Sequence, residues 1–216
     1  MTLLSRFLVS SLLTGAWLTV HAADGQTIYT QGGQDPAAMA CLGCHGPDAQ
    51  GISAAGFPRL AGLSAGYLSK QLDDFRKGSR KHAVMEPLAT ALSDAEIKAV
   101  SALLAGMAVD PAPALRRRQM SLDPIEKMAL YGDWSRQIPG CVQCHGPGGG
   151  GVGEHFPPLI GQPAAYLAAQ LDGWRDGSRS NDPDQMMVSV AKAMTDAEVK
   201  ALADYFANLG SLEVTP

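Results

Sequence analysis

The feature that most constrains this chain is a five-residue pattern, Cys-x-x-Cys-His, that occurs twice. It stands at residues 41–45 and again at 141–145, and the two copies contain all four cysteines of the sequence. The spacing is typical of covalent haem attachment, because two thiols at this separation can each add to one vinyl group of the same haem. A disulfide or a thioredoxin-like pair does not need the fixed histidine, and a zinc site needs four ligands gathered together. The sequence therefore predicts two covalently bound haem c groups.

In each copy the cysteines are predicted to hold the haem and the adjoining histidine to bind its iron from one face. The predicted attachment and iron-binding residues are Cys41, Cys44 and His45 for the first haem, and Cys141, Cys144 and His145 for the second.

The second half of the chain repeats the first. Four segments recur in the same order, and the copies differ mainly in loop length. They are 57–62 with 156–161, 67–76 with 166–175, 78–80 with 177–179, and 92–97 with 194–199. Such agreement over most of the chain predicts two tandem domains of one fold.

The predicted domains span residues 23–110 and 124–216, joined by a linker at 111–123. Prolines at the join cannot continue a helix, which places the boundary there. Three consecutive arginines stand at 116–118. Their plainest interpretation is a solvated linker, and the alternatives are a docking patch for an acidic partner or an interdomain clamp on haem propionates.

Residues 1–22 are predicted to be a secretory signal peptide. Arg6 precedes an apolar stretch at 7–20, and Val-His-Ala at 20–22 suits cleavage after Ala22 or Ala23. The alternative is a retained anchor, although the stretch is short for a membrane span of about 20 residues. The expected location is the periplasm.

The charge of the chain disfavours one class of partner. The formal net charge is −4 at pH 7, and four haem propionates would make the protein still more acidic. This argues against a nucleic-acid partner.

The repeated segments predict helices. Apolar side chains recur at helical spacing along 67–75 and 166–174, and Gly78 and Gly177 are suited to end these helices. A further helix is expected to precede and include each attachment motif. No segment alternates with period two, so almost no strand is expected and the predicted fold class is all-α.

Capping boxes predict where the last helix of each domain begins. Ser93 stands three residues before Glu96, and Thr195 stands three residues before Glu198. In this arrangement the hydroxyl and the carboxylate each accept a hydrogen bond from the first turn of a helix.

The second iron ligand of the first domain is predicted to be Met85. It lies in the loop between the Gly78 helix end and the last helix. His82 is a rival in the same loop. Met39 is too close in sequence to the attachment site to reach the opposite face of the haem, and Met107 is expected to pack at the end of the last helix.

The second domain offers two adjacent methionines, Met186 and Met187. Met85 lies seven residues before Leu92, and Met187 lies seven residues before the equivalent Met194. This alignment favours Met187 as the ligand and leaves Met186 to pack nearby. His155 has no counterpart in the first domain and is expected at the surface or near the site.

Both attachment motifs continue as Cys-His-Gly-Pro, which places Pro47 and Pro147 two residues after the histidines. A backbone carbonyl at this position is a candidate acceptor for the histidine Nδ1–H, which would fix the tautomer of the ring.

With these motifs the chain resembles the c4-type dihaem cytochromes c, which consist of two class I cytochrome c domains in tandem. The resemblance rests on the paired attachment motifs, on the repeated Phe-Pro-x-Leu-x-Gly to Gly-Ser-Arg run, and on the Met85 and Met187 loops. It implies two cytochrome c-like helical domains, each around one haem, with His and Met at both irons. It also implies haems that face each other across a polar domain interface.

The resemblance further implies periplasmic electron carriage, often with peripheral membrane association, from a membrane-bound donor to a terminal oxidase. The ligand loops at 81–84 and 180–183 are unequal, so the two reduction potentials are expected to differ. The predicted function is therefore an electron carrier and not an enzyme. The alternatives are a dihaem peroxidase, which would need an open iron position, and a fixed electron-transfer subunit of a dehydrogenase or oxidase complex.

Overall fold

The computed structural model describes residues 23–109 and 123–209. The predicted signal peptide and the arginines at 116–118 lie outside the described residues. The predicted domain boundaries stay predictions.

The described residues are mostly helical, which confirms the all-α class. The first domain contains α1 (Gly25–Gln31), α2 (Leu42–His45), α3 (Ala65–Lys77), α4 (Met85–Ala91) and α5 (Asp94–Gly106). The second contains α6 (Pro124–Tyr131), α7 (Cys141–His145), α8 (Ala164–Asp176), α9 (Met186–Ala193) and α10 (Asp196–Asn208). The described strands are β1 (Gly132–Asp133) and β2 (Ile138–Pro139), which form a short antiparallel hairpin.

Each domain packs its long helices around an apolar core. In the first, α5 contacts α1 and α3, and in the second, α10 contacts α6 and α8. The cores are separate, so each domain buries its own apolar face. Among the helices in the described part of the chain, none has the length and hydropathy of a membrane span.

The predicted helix ends are confirmed. Both capping boxes form, with the Ser93 and Thr195 hydroxyls accepting from the backbone and the partner glutamates accepting in return. Gly78 and Gly177 end α3 and α8 with φ of 75° and 80°, a left-handed conformation that costs glycine little.

The expected helix through each attachment motif is only partly present. α1 ends at Gln31, and the motif forms the separate short helix α2 ten residues further along. Gly32, with φ of 102°, ends α1. In the second domain the β1–β2 hairpin separates α6 from α7 in the same way.

The domains meet through equivalent residues. Arg80 and Arg179 form an isolated antiparallel bridge, flanked by hydrogen bonds from Lys81 N–H to Ser178 O at 2.7 Å and from Ser180 N–H to Ser79 O at 2.8 Å. Because residues 78–80 and 177–179 are repeat copies, this contact relates the two domains by a local pseudo-twofold axis.

Candidate haem sites

The attachment cysteines are half-buried, and no disulfide joins them. Burial raises the pKa of the Cys41 and Cys141 thiols to about 11. Thioredoxin-like cysteines need a depressed pKa, so these thiols lack the character of a redox pair. Within the described residues, no group of three or more His, Cys, Asp or Glu side chains is gathered as a metal site.

The motif histidines are buried and oriented alike. The Nδ1–H of His45 donates to the Pro58 carbonyl at 3.0 Å, and that of His145 donates to the Pro157 carbonyl at 2.7 Å. Burial lowers the pKa of both rings, so the neutral form dominates at pH 7. With Nδ1 donating, the lone pair resides on Nε2, which is the atom available to iron.

These contacts correct the expectation that the carbonyl acceptor follows the motif at Pro47 and Pro147. The acceptors lie 13 and 12 residues beyond the histidines, in the repeated Phe-Pro segment. The same segment packs its aromatic ring on the histidine, with Phe57 centred 6.4 Å from His45 and Phe156 centred 6.2 Å from His145. The repeated Phe-Pro segment therefore has the same role in both domains, because it supplies the carbonyl that accepts from the histidine and the aromatic ring that packs on it.

Met85 is the first residue of α4 and is half-buried. Its rival His82 is exposed, and the His82 Nδ1 accepts from the backbone N–H groups of Val84 and Met85, each at 3.3 Å. Met39 is 64% exposed, and Met107 packs against the core at the end of α5. These positions leave Met85 as the predicted ligand of the first domain.

In the second domain a cavity of about 440 Å³ brings the predicted haem residues together. Its volume lies in the range of cofactor sites. The residues of the predicted haem site that line it are Cys141, Cys144, His145, Met186 and Met187. Met187 is half-buried, whereas Met186 is 43% exposed. His155, which the sequence places near the site, is exposed at the margin of this cavity.

The side chain of Trp174 supports a haem in this cavity. Its indole Nε1–H is buried, lines the cavity wall and has no hydrogen-bond partner. Buried polar groups without partners are rare, so an acceptor is expected opposite it. Haem brings carboxylate acceptors in its propionates. The equivalent residue of the first domain is Phe75, which has no such donor.

A buried pair of arginines between the domains was not predicted from the sequence. The Arg80 guanidinium lies 4.5 Å from the ring centre of Phe75, and that of Arg179 lies 4.0 Å from the ring of Trp174. Both guanidinium groups donate to the side-chain carbonyls of Gln71 and Gln170. Neutral amide partners do not cancel the positive charge of Arg179, which lines the cavity and therefore fits an anionic propionate of haem.

Comparison with known proteins agrees with this geometry. The family model for cytochrome c matches residues 22–108 and 139–210. A thiosulfate dehydrogenase electron acceptor from Stutzerimonas stutzeri is 56% identical over 91% of this chain and 91% of its own length. Cytochrome c4 from Pseudomonas aeruginosa is 35% identical over 95% of this chain and all of its own length.

Solved structures show the same architecture. The reduced cytochrome c4 of Pseudomonas stutzeri superposes with a TM-score of 0.67 and 33% identity, over 77% of this chain and 92% of that one. The thiosulfate dehydrogenase TsdBA of Marichromatium purpuratum superposes with a TM-score of 0.74 and 44% identity, over 85% of this chain. This chain spans only 39% of the length of that longer one.

The paired attachment motifs, the matching histidine geometry and these relatives lead to one assignment. The chain belongs to the cytochrome c family, as a c4-like dihaem electron carrier that binds two covalent haem c groups.

Proposed function

We propose that this protein is a periplasmic carrier that accepts electrons from a dehydrogenase acting on thiosulfate and delivers them to a terminal oxidase. The thiosulfate donor is supported by the relative that is 56% identical and is named an electron acceptor of thiosulfate dehydrogenase. Delivery of electrons to a terminal oxidase is supported by the resemblance to the c4-type cytochromes. The dehydrogenase takes the place of the membrane-bound donor that was expected from the sequence. Peripheral membrane association stays part of the proposal.

The iron ligands are proposed to be His45 with Met85, and His145 with Met187. The supporting observation is that each histidine is held by a proline carbonyl through Nδ1. Met85 is the first residue of α4, and Met187 is the second residue of the corresponding helix α9. When bound, the haem supplies an iron that changes by one electron. These four residues would hold the two irons and leave no position open to an external ligand, which favours electron transfer over ligand binding.

Location in the periplasm is proposed from the leader sequence, and the first described helix is compatible with cleavage there. Asp24 caps α1 by accepting from the N–H groups of Gln26 and Thr27. The folded domain therefore begins within two residues of the predicted cleavage site. N-terminal sequencing of the exported protein should give a mature chain that starts at Ala23 or Asp24, and an intact Met1 would contradict the proposal.

The donor is tested by mixing the oxidised holoprotein with a thiosulfate dehydrogenase and thiosulfate, and by following the reduced-haem absorption band. Both haems should become reduced, and thiosulfate without the dehydrogenase should have no such effect. If the dehydrogenase turns over with an artificial acceptor but leaves this protein oxidised, the proposed donor is wrong.

A fixed complex is the second candidate. In TsdBA, a thiosulfate dehydrogenase, the matching region is part of a much longer polypeptide, so a module of this kind can be joined to its redox partner. Gel filtration of this protein with the dehydrogenase distinguishes the cases, because a fixed subunit co-elutes at micromolar concentration and a carrier does not.

A further inference from the structure

One peptide group of the first domain is hydrogen-bonded at both ends. The Pro58 carbonyl accepts from His45 Nδ1–H at 3.0 Å, and the N–H of the same peptide, which belongs to Arg59, donates to Gln162 Oε1 at 3.0 Å. Gln162 belongs to the second domain. A continuous chain of hydrogen bonds therefore runs from the histidine ring through one peptide group to a side chain of the other domain.

Gln162 is held in one orientation. Its Nε2 donates to the Arg59 carbonyl at 3.0 Å, so the amide contacts the residue through both its oxygen and its nitrogen. Gln162 is 3% exposed and Arg59 is 7% exposed. The Arg59 guanidinium also donates to the Ile160 carbonyl at 3.2 Å, which gives a third bond across the interface. Reversing the amide would place donor against donor, so Oε1 must face the peptide N–H.

The second domain lacks this arrangement. In the repeat, Arg59 corresponds to Pro158 and Gln162 corresponds to Leu63. The peptide that accepts from His145 precedes Pro158, so it has no N–H to donate. Leu63 carries no acceptor. The link therefore exists at one of the two histidines only.

We propose that Gln162 is a positioning residue that tunes the first haem from the second domain. An acceptor on the peptide N–H polarises the peptide, and hydrogen bonds in such a chain strengthen one another. A more strongly held Nδ1–H makes His45 a more basic ligand, which stabilises Fe(III) over Fe(II). The inference rests on the proposed role of His45 as an iron ligand.

Removal of the Gln162 hydrogen bond is expected to change the reduction potential of the first haem. This hydrogen bond alone does not determine which of the two haems has the higher potential. The His145 contact is the shorter of the two, at 2.7 Å against 3.0 Å, so other features of each domain also contribute.

The test is Gln162→Leu, which installs the residue found at the equivalent position 63. In the reduced holoprotein, the His45 Nδ1–H resonance should move to higher field while that of His145 stays. In a spectroelectrochemical titration the first haem should become easier to reduce, by up to about tenfold in its Fe(III)/Fe(II) ratio at fixed potential, or ~59 mV. Gln162→Asn, which withdraws the amide by one methylene, should act in the same direction.

Ser180→Ala is the matched control, because it removes another neutral hydrogen bond between the domains, from Ser180 Oγ to Ser79 O. It should move neither histidine resonance. Unchanged His45 resonance in both Gln162 variants, or equal shifts at both histidines, would overturn the proposal. A separate check on the oxidised wild-type protein is whether His45 ring protons carry the large shifts of an iron ligand. If they do not, the ligand assignment itself is wrong, and the two failures are thus distinguishable.

Discussion

Arg80 and Arg179 lie side by side across the domain boundary, paired through their backbones, although both side chains are cations. Each guanidinium stacks on an aromatic ring of its own domain and shares the glutamine carbonyls with the other. The backbone hydrogen bonds and the stacking hold the two positive charges close together, although like charges repel each other.

Replacing Arg179 by methionine is expected to destabilise the holoprotein by about 2–4 kcal/mol. The variant loses the stacking on Trp174 and the hydrogen bonds from the guanidinium to Gln71, Gln170 and Asn181. Denaturant unfolding measures this loss. Arg175→Met is the control, in the last turn of the helix α8 that precedes Arg179. Arg175 pairs with Asp172 and Asp196, both largely exposed, and such pairs contribute at most about 1 kcal/mol. Equal losses in the two variants would contradict the buried role of Arg179.

Trp174→Phe gives the second domain the residue that the first has at Phe75. The variant loses the buried indole N–H and part of the ring surface on which Arg179 stacks. A donor to a propionate reduces the negative charge near the iron, so its removal should lower one of the two reduction potentials and leave the other in place. The shift is expected to be at most about tenfold in the redox ratio, or ~59 mV. The two potentials are read by spectroelectrochemistry, and an unchanged pair would show that the indole does not face the haem.

Met85→Ala and Met187→Ala test the ligands separately. Each variant should lose half of the near-infrared Met-to-iron band of the oxidised protein, because each removes one of the two proposed thioether ligands. Met186→Ala is the control at the adjacent, more exposed position and should retain the whole band. Loss of half the band in Met186→Ala, with Met187→Ala unaffected, would exchange the two assignments.

The pairing of Glu198 with Arg136 predicts an acid-dependent loss of stability. Hydrogen bonds from Arg136 lower the pKa of Glu198 from 4.5 to about 2. A carboxylate with a depressed pKa stabilises the fold above its unfolded pKa, and this contribution is lost as the pH falls from about 4.5 towards 2. Glu198→Gln should therefore lose roughly 1 kcal/mol at pH 7, allowing for solvent screening.

The measurement is the free energy of unfolding of both proteins at pH 7 and in acid, where the difference should shrink. Asp204→Asn on the same helix is the control, because its ion pair with Lys200 is exposed. Its effect should stay within about 0.5 kcal/mol at both pH values. A Glu198→Gln difference that persists at low pH would contradict the assigned cause.

The sequence predicted the features that local patterns determine. Both capping boxes and both glycine helix ends form as expected, since each depends on residues only a few positions apart. The carbonyl acceptors of His45 and His145 were placed wrongly, because the chain folds back 13 and 12 residues later to supply them.

The interdomain contacts could not be predicted from the sequence either, because the residues that form them are far apart along the chain. Gln162 and Arg59 are 103 positions apart, and no local pattern specifies that they meet. The repeat contained a usable signal. Arg59 and Pro158, and Leu63 and Gln162, are mismatches within otherwise similar segments. Differences between repeat copies therefore mark the asymmetric contacts of this interface.

The bridge between Arg80 and Arg179 uses the same edge of each domain. When two identical edges pair with each other, neither edge remains free to bind another unit. The contact therefore joins two units and cannot extend into an array. A third unit appended to this polypeptide would find no complementary edge there. The duplication thus has the geometry of a self-pairing monomer whose two copies became one chain, with the stoichiometry fixed at two haems.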